Sequence, residues 1–229
     1  MYITKNTVSA EGQVQKDHYT EVFNNGGKVK ILFIGNSITR HEPKPEIGWP
    51  YDWGMAASCL KNDYVHVVVR LLEEKYGKVD YCITNCGKWE LNYKKGDELL
   101  DEWQIARDFQ ADIIIVRVAE NVRSETDPFE RHPFIDRYLK MVEYFSSNPK
   151  AKVITTGLFW KSEQMENAVA QAAKEGNYPF VRLNDLGMNN ENMAIGKFAH
   201  EGVAIHPNDV GMRRIAERIV AKIVELNMI

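Results

Sequence analysis

At 229 residues the chain is long enough for one large domain or two small ones. Hydrophobic residues make up 44% and charged residues 27%, ordinary globular usage that excludes a disordered or fibrous chain. A formal net charge of −3 gives no basic footprint for nucleic acid, and no apolar run reaches the roughly 18 residues that begin to suggest a membrane span.

The first 27 residues are polar and lack a hydrophobic signal core. They read as an N-terminal arm (1–27) before a domain over 28–229. Within the arm, Val14 to Val22 either adds a strand or wraps the surface. As written the sequence points to the cytoplasm; a leader removed before Met1 would place it in the periplasm or outside the cell. The cysteines Cys59, Cys82 and Cys86 match neither a zinc ribbon nor a redox pair, and read as small buried thiols.

From Lys28 onward, short β-rich runs alternate with amphipathic stretches. Lys28–Ile34, Val79–Asn85, Asp112–Val118, Ala151–Thr156 and Pro179–Leu183 read as strands, and their continuous Val/Ile content suits parallel strands covered on both faces. Tyr64–Tyr76, Leu99–Phe109, Pro133–Ser146, Glu163–Glu175 and Asn208–Glu225 carry apolar residues at helical spacing, with Asp63 and Asn208 placed as N-caps. This alternation predicts an α/β fold: a three-layer α/β/α sandwich on a five-stranded parallel sheet, flavodoxin-like in architecture.

In such sheets ligands bind beyond the carboxyl ends of the strands. The first strand is followed by Gly35-Asn36-Ser37-Ile38-Thr39-Arg40, where glycine permits a sharp turn and serine sits near main-chain amides. The segment has neither a P-loop nor a dinucleotide glycine pattern. The second strand ends in Asn85-Cys86-Gly87, the third in Ala119-Glu120-Asn121, and His206-Pro207-Asn208-Asp209 precedes the last helix. A serine, two oxyanion donors (Gly87 and Asn121) and a histidine expected at one edge are the components of acyl transfer. His206 would act as base for Ser37.

On these residues the sequence resembles the SGNH (GDSL-type) hydrolases, serine esterases and lipases on a flavodoxin-like sandwich, over roughly Lys28 to Leu226. Gly35-Asn36-Ser37 is similar to the first block with Asn36 where Asp is usual, Gly87 to the second, and Asn121 to the third with Ala119 in place of glycine. His206 with Pro-Asn-Asp-x-Gly is similar to the last. The resemblance implies catalytic roles for Ser37, His206, Gly87 and Asn121, no cofactor and no metal. One departure concerns the acid: the family places Asp three residues before the histidine, and Val203 stands there. A main-chain carbonyl near Val203, giving a Ser–His dyad, or the Glu201 carboxylate would then orient the ring.

The segment from His41 to Met55 is too irregular for a helix and rich in aromatics. Trp49, Tyr51 and Trp53 offer flat faces for a sugar ring, with Glu42 or Asp52 for its hydroxyls; equally, the aromatics anchor the loop. Trp89 with Glu90, and Trp160, have the same two readings. Glu120 and Arg123, flanking Asn121, either shape the pocket or form a surface ion pair. His18 and His66 read as structural, His41 as second to His206, and His200 with His206 and Glu201 as a poor metal set. These aromatics lean towards a small-molecule or carbohydrate ester as substrate. The rivals are a catalytically weak or inactive carbohydrate-binding protein on the same fold, and a flavin mononucleotide-binding protein.

Overall fold

The computed structural model describes residues 20–122 and 133–229. The predicted parallel strands form as β2 (Val29–Gly35), β3 (Val79–Asn85), β4 (Ile113–Val116), β5 (Lys152–Thr156) and β6 (Phe180–Val181). The sheet has six strands rather than five, in the order β1-β3-β2-β4-β5-β6, because Thr20–Phe23 (β1) joins the β3 edge antiparallel. Phe23 stacks on Tyr81 with ring centroids 4.4 Å apart, and Thr20 and Thr84 share a hydroxyl hydrogen bond of 2.9 Å. The turn after β1 is pinned by Asp80, whose Oδ1 accepts from the amides of Asn25 and Gly27 at 2.7 and 2.9 Å. An open edge of β3 is thereby covered. Arg123 and His18 lie outside the described residues.

The side-chain period of two sorts each strand between two cores. Ile31, Phe33, Ile113 and Ile115 face α1 (Tyr64–Tyr76) and the C-terminal helix; Leu32, Ile34, Ile114 and Val116 face the opposite layer. That layer holds α2 (Gly87–Asn92), α3 (Gln104–Asp108), α4 (Pro133–Phe145) and α5 (Glu163–Glu175). The short α6 (Glu201–Ala204) precedes the C-terminal α7 (Asp209–Glu225). The result is the expected three-layer sandwich. The helix expected over Leu99–Phe109 is broken: a 3₁₀ stretch, Glu98–Trp103, runs into α3. Trp103 leaves helical geometry at φ −111° while its buried indole donates to the Asn85 carbonyl at 2.9 Å. No helix among the described residues is long and apolar enough to cross a membrane.

Both anticipated caps form. Asp63 accepts from the His66 amide, and Asn208 from the amides of Val210 and Gly211. Asn208 also donates to the carbonyls of Glu191 and Met193 at 2.9 and 2.6 Å, so it fastens the start of α7 to the segment beneath His206. Asn208→Ala is expected to lower stability by about 2 kcal/mol in urea titration, the upper end for a lost cap. A loss under about 0.5 kcal/mol would contradict this account.

Counted along the parallel strands alone, the order is 2-1-3-4-5, and its switch point lies at the carboxyl end of β2. β2 ends at Gly35, where a Cβ would come within 1.7 Å of Thr39 Oγ1 and 3.1 Å of the Arg117 carbonyl oxygen. Only glycine lets the chain turn so closely onto itself here, and that turn presents Ser37.

Candidate active site

Asn36 builds the turn. Its carbonyl accepts from the Thr39 and Arg40 amides at 2.9 and 3.0 Å, and its Oδ1 from the Ile38 amide at 3.3 Å. The Met55 amide donates to the Ser37 carbonyl at 2.8 Å, tying the His41–Met55 segment to the turn. Ser37 is half-buried at the carboxyl edge of the sheet. Its Oγ lies 2.8 Å from His206 Nε2, although the two residues are 169 positions apart.

The His206 ring is held on its other side by a main-chain oxygen. At the end of α6 the chain tightens, so the His206 amide bonds the Val203 carbonyl at 3.0 Å rather than that of Gly202. Helix ends leave such carbonyls without an internal partner. His206 Nδ1 takes this one, 2.6 Å from Gly202 O. A carbonyl only accepts, so Nδ1 carries the proton and Nε2 presents its lone pair to Ser37. The acceptor is therefore a carbonyl one residue before Val203, while the Glu201 side chain is exposed. Trp160 walls the imidazole, edge to face at 4.8 Å, with its indole donating to the Ile205 carbonyl at 3.0 Å.

The other expected residues divide. Asn121 follows β4 at the same edge, its amide donating to Glu90 Oε2. The Gly87 amide, expected as an oxyanion donor, already donates to Asn85 Oδ1 at 2.7 Å and is engaged within the protein. Trp49 and Trp89 are 0% and 1% exposed, packed respectively against Met55, Ala56 and Val203, and against Tyr93 and Phe134. Neither has a free face for a sugar, which favours the anchoring reading for both. Trp53 is partly buried and stacks on exposed Tyr51 at 4.3 Å, and Glu42 is solvent-exposed. Glu120 is no surface ion-pair member: it pairs with Arg117 at 2.5 Å, and both side chains are 1% exposed. Its carboxylate also accepts from the Phe159 and Trp160 amides at 2.8 and 3.4 Å, which sets the loop carrying Trp160.

Glu90 and Arg117 are the residues whose roles the sequence reading missed. Glu90 is 1% exposed and accepts from Asn36 Nδ2, the amides of Ala119 and Glu120, and Asn121 Nδ2. Arg117 donates to Asn36 Oδ1 at 3.0 Å as well as to Glu120. Ala119 has φ +96°, main chain that an L-residue adopts only under strain; glycine, standard here in the resembling family, would adopt it freely. The available signal was chemical: an arginine directly after the apolar run of β4, within the predicted strand Asp112–Val118, needs a buried acceptor.

Burial drives two pKa values apart. It pushes His206 down to about 3, against the Gly202 hydrogen bond and with help from the charges of His41 and Arg117. It pushes Glu90 up to about 7, against donors from Asn36, Asn121 and Ala119. The His206 contribution to stability is therefore present above its ordinary 6.5 and lost as pH falls towards 3. The Glu90 contribution is present below its ordinary 4.5 and lost as pH rises through about 7. Between pH 4.5 and 6.5 the two slopes oppose each other. Glu90→Gln removes one, so acidification across this window should destabilise the variant relative to wild type by about 1.4 kcal/mol per pH unit. Urea titrations at several pH values test this, and parallel stability curves would refute it.

No family model matches the chain, and no curated protein matches it. Solved structures do match in fold. An acetyl xylan esterase, AlAXEase, superposes with TM-score 0.55 at 16% identity, over 85% of this chain and 100% of that one. A family two carbohydrate esterase from Clostridium thermocellum gives TM-score 0.60 at 14% identity, over 88% of this chain and 65% of the other. A GDSL-like lipase from Parabacteroides merdae gives 0.54 at 16% identity, over 83% and 93%. The chain shares the fold of these two carbohydrate esterases and of the GDSL-like lipase.

Proposed function

We propose that this protein is a metal-independent serine ester hydrolase that removes a small acyl group, such as acetyl, from a carbohydrate. The observation that carries the reading is the aligned set Ser37 Oγ, His206 Nε2, His206 Nδ1 and Gly202 O, with contacts of 2.8 and 2.6 Å. Such a couple supplies both nucleophile and base, so the chemistry requires no metal. Ser37 Oγ attacks the ester carbonyl as its proton passes to His206 Nε2. The Ser37 amide and the Asn121 amide stabilise the oxyanion; Gly87 joins them once the Asn85 side chain releases its N–H. His206 then returns the proton to the departing sugar oxygen, and water, deprotonated by His206, clears the acyl-enzyme.

Gly202 O takes the place of the usual acid: it fixes the tautomer but brings no negative charge to the imidazolium. Carbohydrate is favoured over long acyl chains by the aromatic surroundings, Trp160 beside His206 and the Tyr51–Trp53 stack, and by the carbohydrate esterases among the structural neighbours. The test is labelling by a fluorophosphonate, followed by peptide mapping. Modification at Ser37, lost in His206→Ala, is expected; an unlabelled Ser37 in protein that still binds sugar would favour the non-catalytic alternative.

A further inference from the structure

We infer that Glu90 is the positioning residue that aims the Asn121 amide at the Ser37 site and fastens it to the nucleophile turn through Asn36. The inference rests on the esterase reading and deepens it. Glu90 enters on α2, straight after the β3 loop, with its carboxylate inside the protein. One oxygen, Oε1, collects Asn36 Nδ2 at 3.0 Å, the Ala119 amide at 2.5 Å and the Glu120 amide at 3.1 Å. The other, Oε2, faces Asn121 Nδ2 at 2.5 Å. A single carboxylate thus joins the loops that follow β2 and β4, which carry Ser37 and Asn121.

Stability alone is a weak reason for that carboxylate. A buried charge must recover its lost hydration, and an apolar side chain of similar volume often serves stability as well or better. What an apolar replacement cannot do is orient amides. Above pH about 7, where it is ionised, Glu90 is acceptor-only on both oxygens, so every group facing it must present N–H. That fixes which way the Asn121 amide lies: one hydrogen is held by Glu90 and the second is left for a ligand. Asn36 is fixed likewise, with Nδ2 on Glu90 and Oδ1 on Arg117 and the Ile38 amide.

Glu90→Gln discriminates this role because the two oxygens are not equivalent. Two main-chain amides converge on Oε1, so the glutamine oxygen must stay there and its NH2 must face Asn121, donor against donor. The substitution preserves size and uncouples Asn121 specifically. The experiment, run at about pH 8.5 so that Glu90 is ionised, measures p-nitrophenyl acetate hydrolysis by wild type, E90Q, N121A and the double variant, with ¹H–¹⁵N spectra of the Asn121 side-chain amide, assigned by its absence in N121A. Expected are a kcat for E90Q at least about 30-fold below wild type with KM little changed, and a double variant no worse than about threefold below N121A. The Asn121 amide resonances should also move in E90Q.

Independent, multiplying losses in kcat, an E90Q kcat within about threefold of wild type, or an unmoved Asn121 resonance would each overturn the inference. If E90Q does not fold, E90D, which keeps the charge and shortens the reach, is judged by the same criteria. Failure of the esterase reading registers separately, as an unreactive Ser37, and the amide resonance then decides the Glu90 inference without turnover.

Discussion

Ser37→Ala and His206→Ala should each lower kcat/KM for an acetyl ester by at least about 10³-fold, and the double variant should be little worse than either. The non-additivity follows from the 2.8 Å contact between Ser37 Oγ and His206 Nε2: without the base the hydroxyl is a poor nucleophile, and without the hydroxyl the base has no proton to take. Glu201→Ala should change activity by less than about threefold, since the carbonyl of residue 202 and not this exposed carboxylate holds Nδ1. A collapse in Glu201→Ala at unchanged stability, or additive losses at residues 37 and 206, would refute this arrangement. Acetylated sugars and p-nitrophenyl esters of rising chain length, assayed in parallel, read out acyl preference.

Arg117→Met should lower stability by about 3 to 5 kcal/mol, the usual consequence of removing one member of a buried ion pair. Arg117 is 1% exposed, and its loss strands the buried Glu120 carboxylate without the guanidinium that pairs with it. The damage should spread to Asn36 Oδ1 above it and to the Trp160 loop beside it, because Glu120 also holds the Phe159 and Trp160 amides. Adding Glu120→Gln should recover part of the loss by removing the stranded charge. Urea titration of the two variants decides the matter: a cost under about 1 kcal/mol for Arg117→Met would mean the pair is not a structural keystone.

The parallel sheet, the main helices, the caps at Asp63 and Asn208, and the Ser37–His206 couple were legible in the sequence because each depends on local signals: β-branched runs, helical spacing, a cap residue, a short block. What was not legible depends on long-range pairing. β1 exists because Phe23 finds Tyr81 and Thr20 finds Thr84, and the polar stretch containing them carries no alternation to announce it. Trp49 and Trp89 were read as sugar faces or anchors, and burial alone separates those cases. Glu90, like Trp89 beside it, reads from the sequence as a sugar contact or an anchor; only the approach of the loops after β2 and β4 gives it donors. Arg117, one residue past the end of β4, is hidden for the same reason.

Because the oxygen on His206 Nδ1 belongs to the peptide backbone at position 202, no codon change deletes it. The usual diagnostic replacement of an acidic residue by its amide has no counterpart in this protein. The position is correspondingly free to drift in side-chain identity within the limits of space, as the bulk of His200, within 2.9 Å of where a Cβ on Gly202 would sit, already constrains it. Probing that oxygen calls for chemical synthesis, replacing the carbonyl by a thioamide, rather than for mutagenesis.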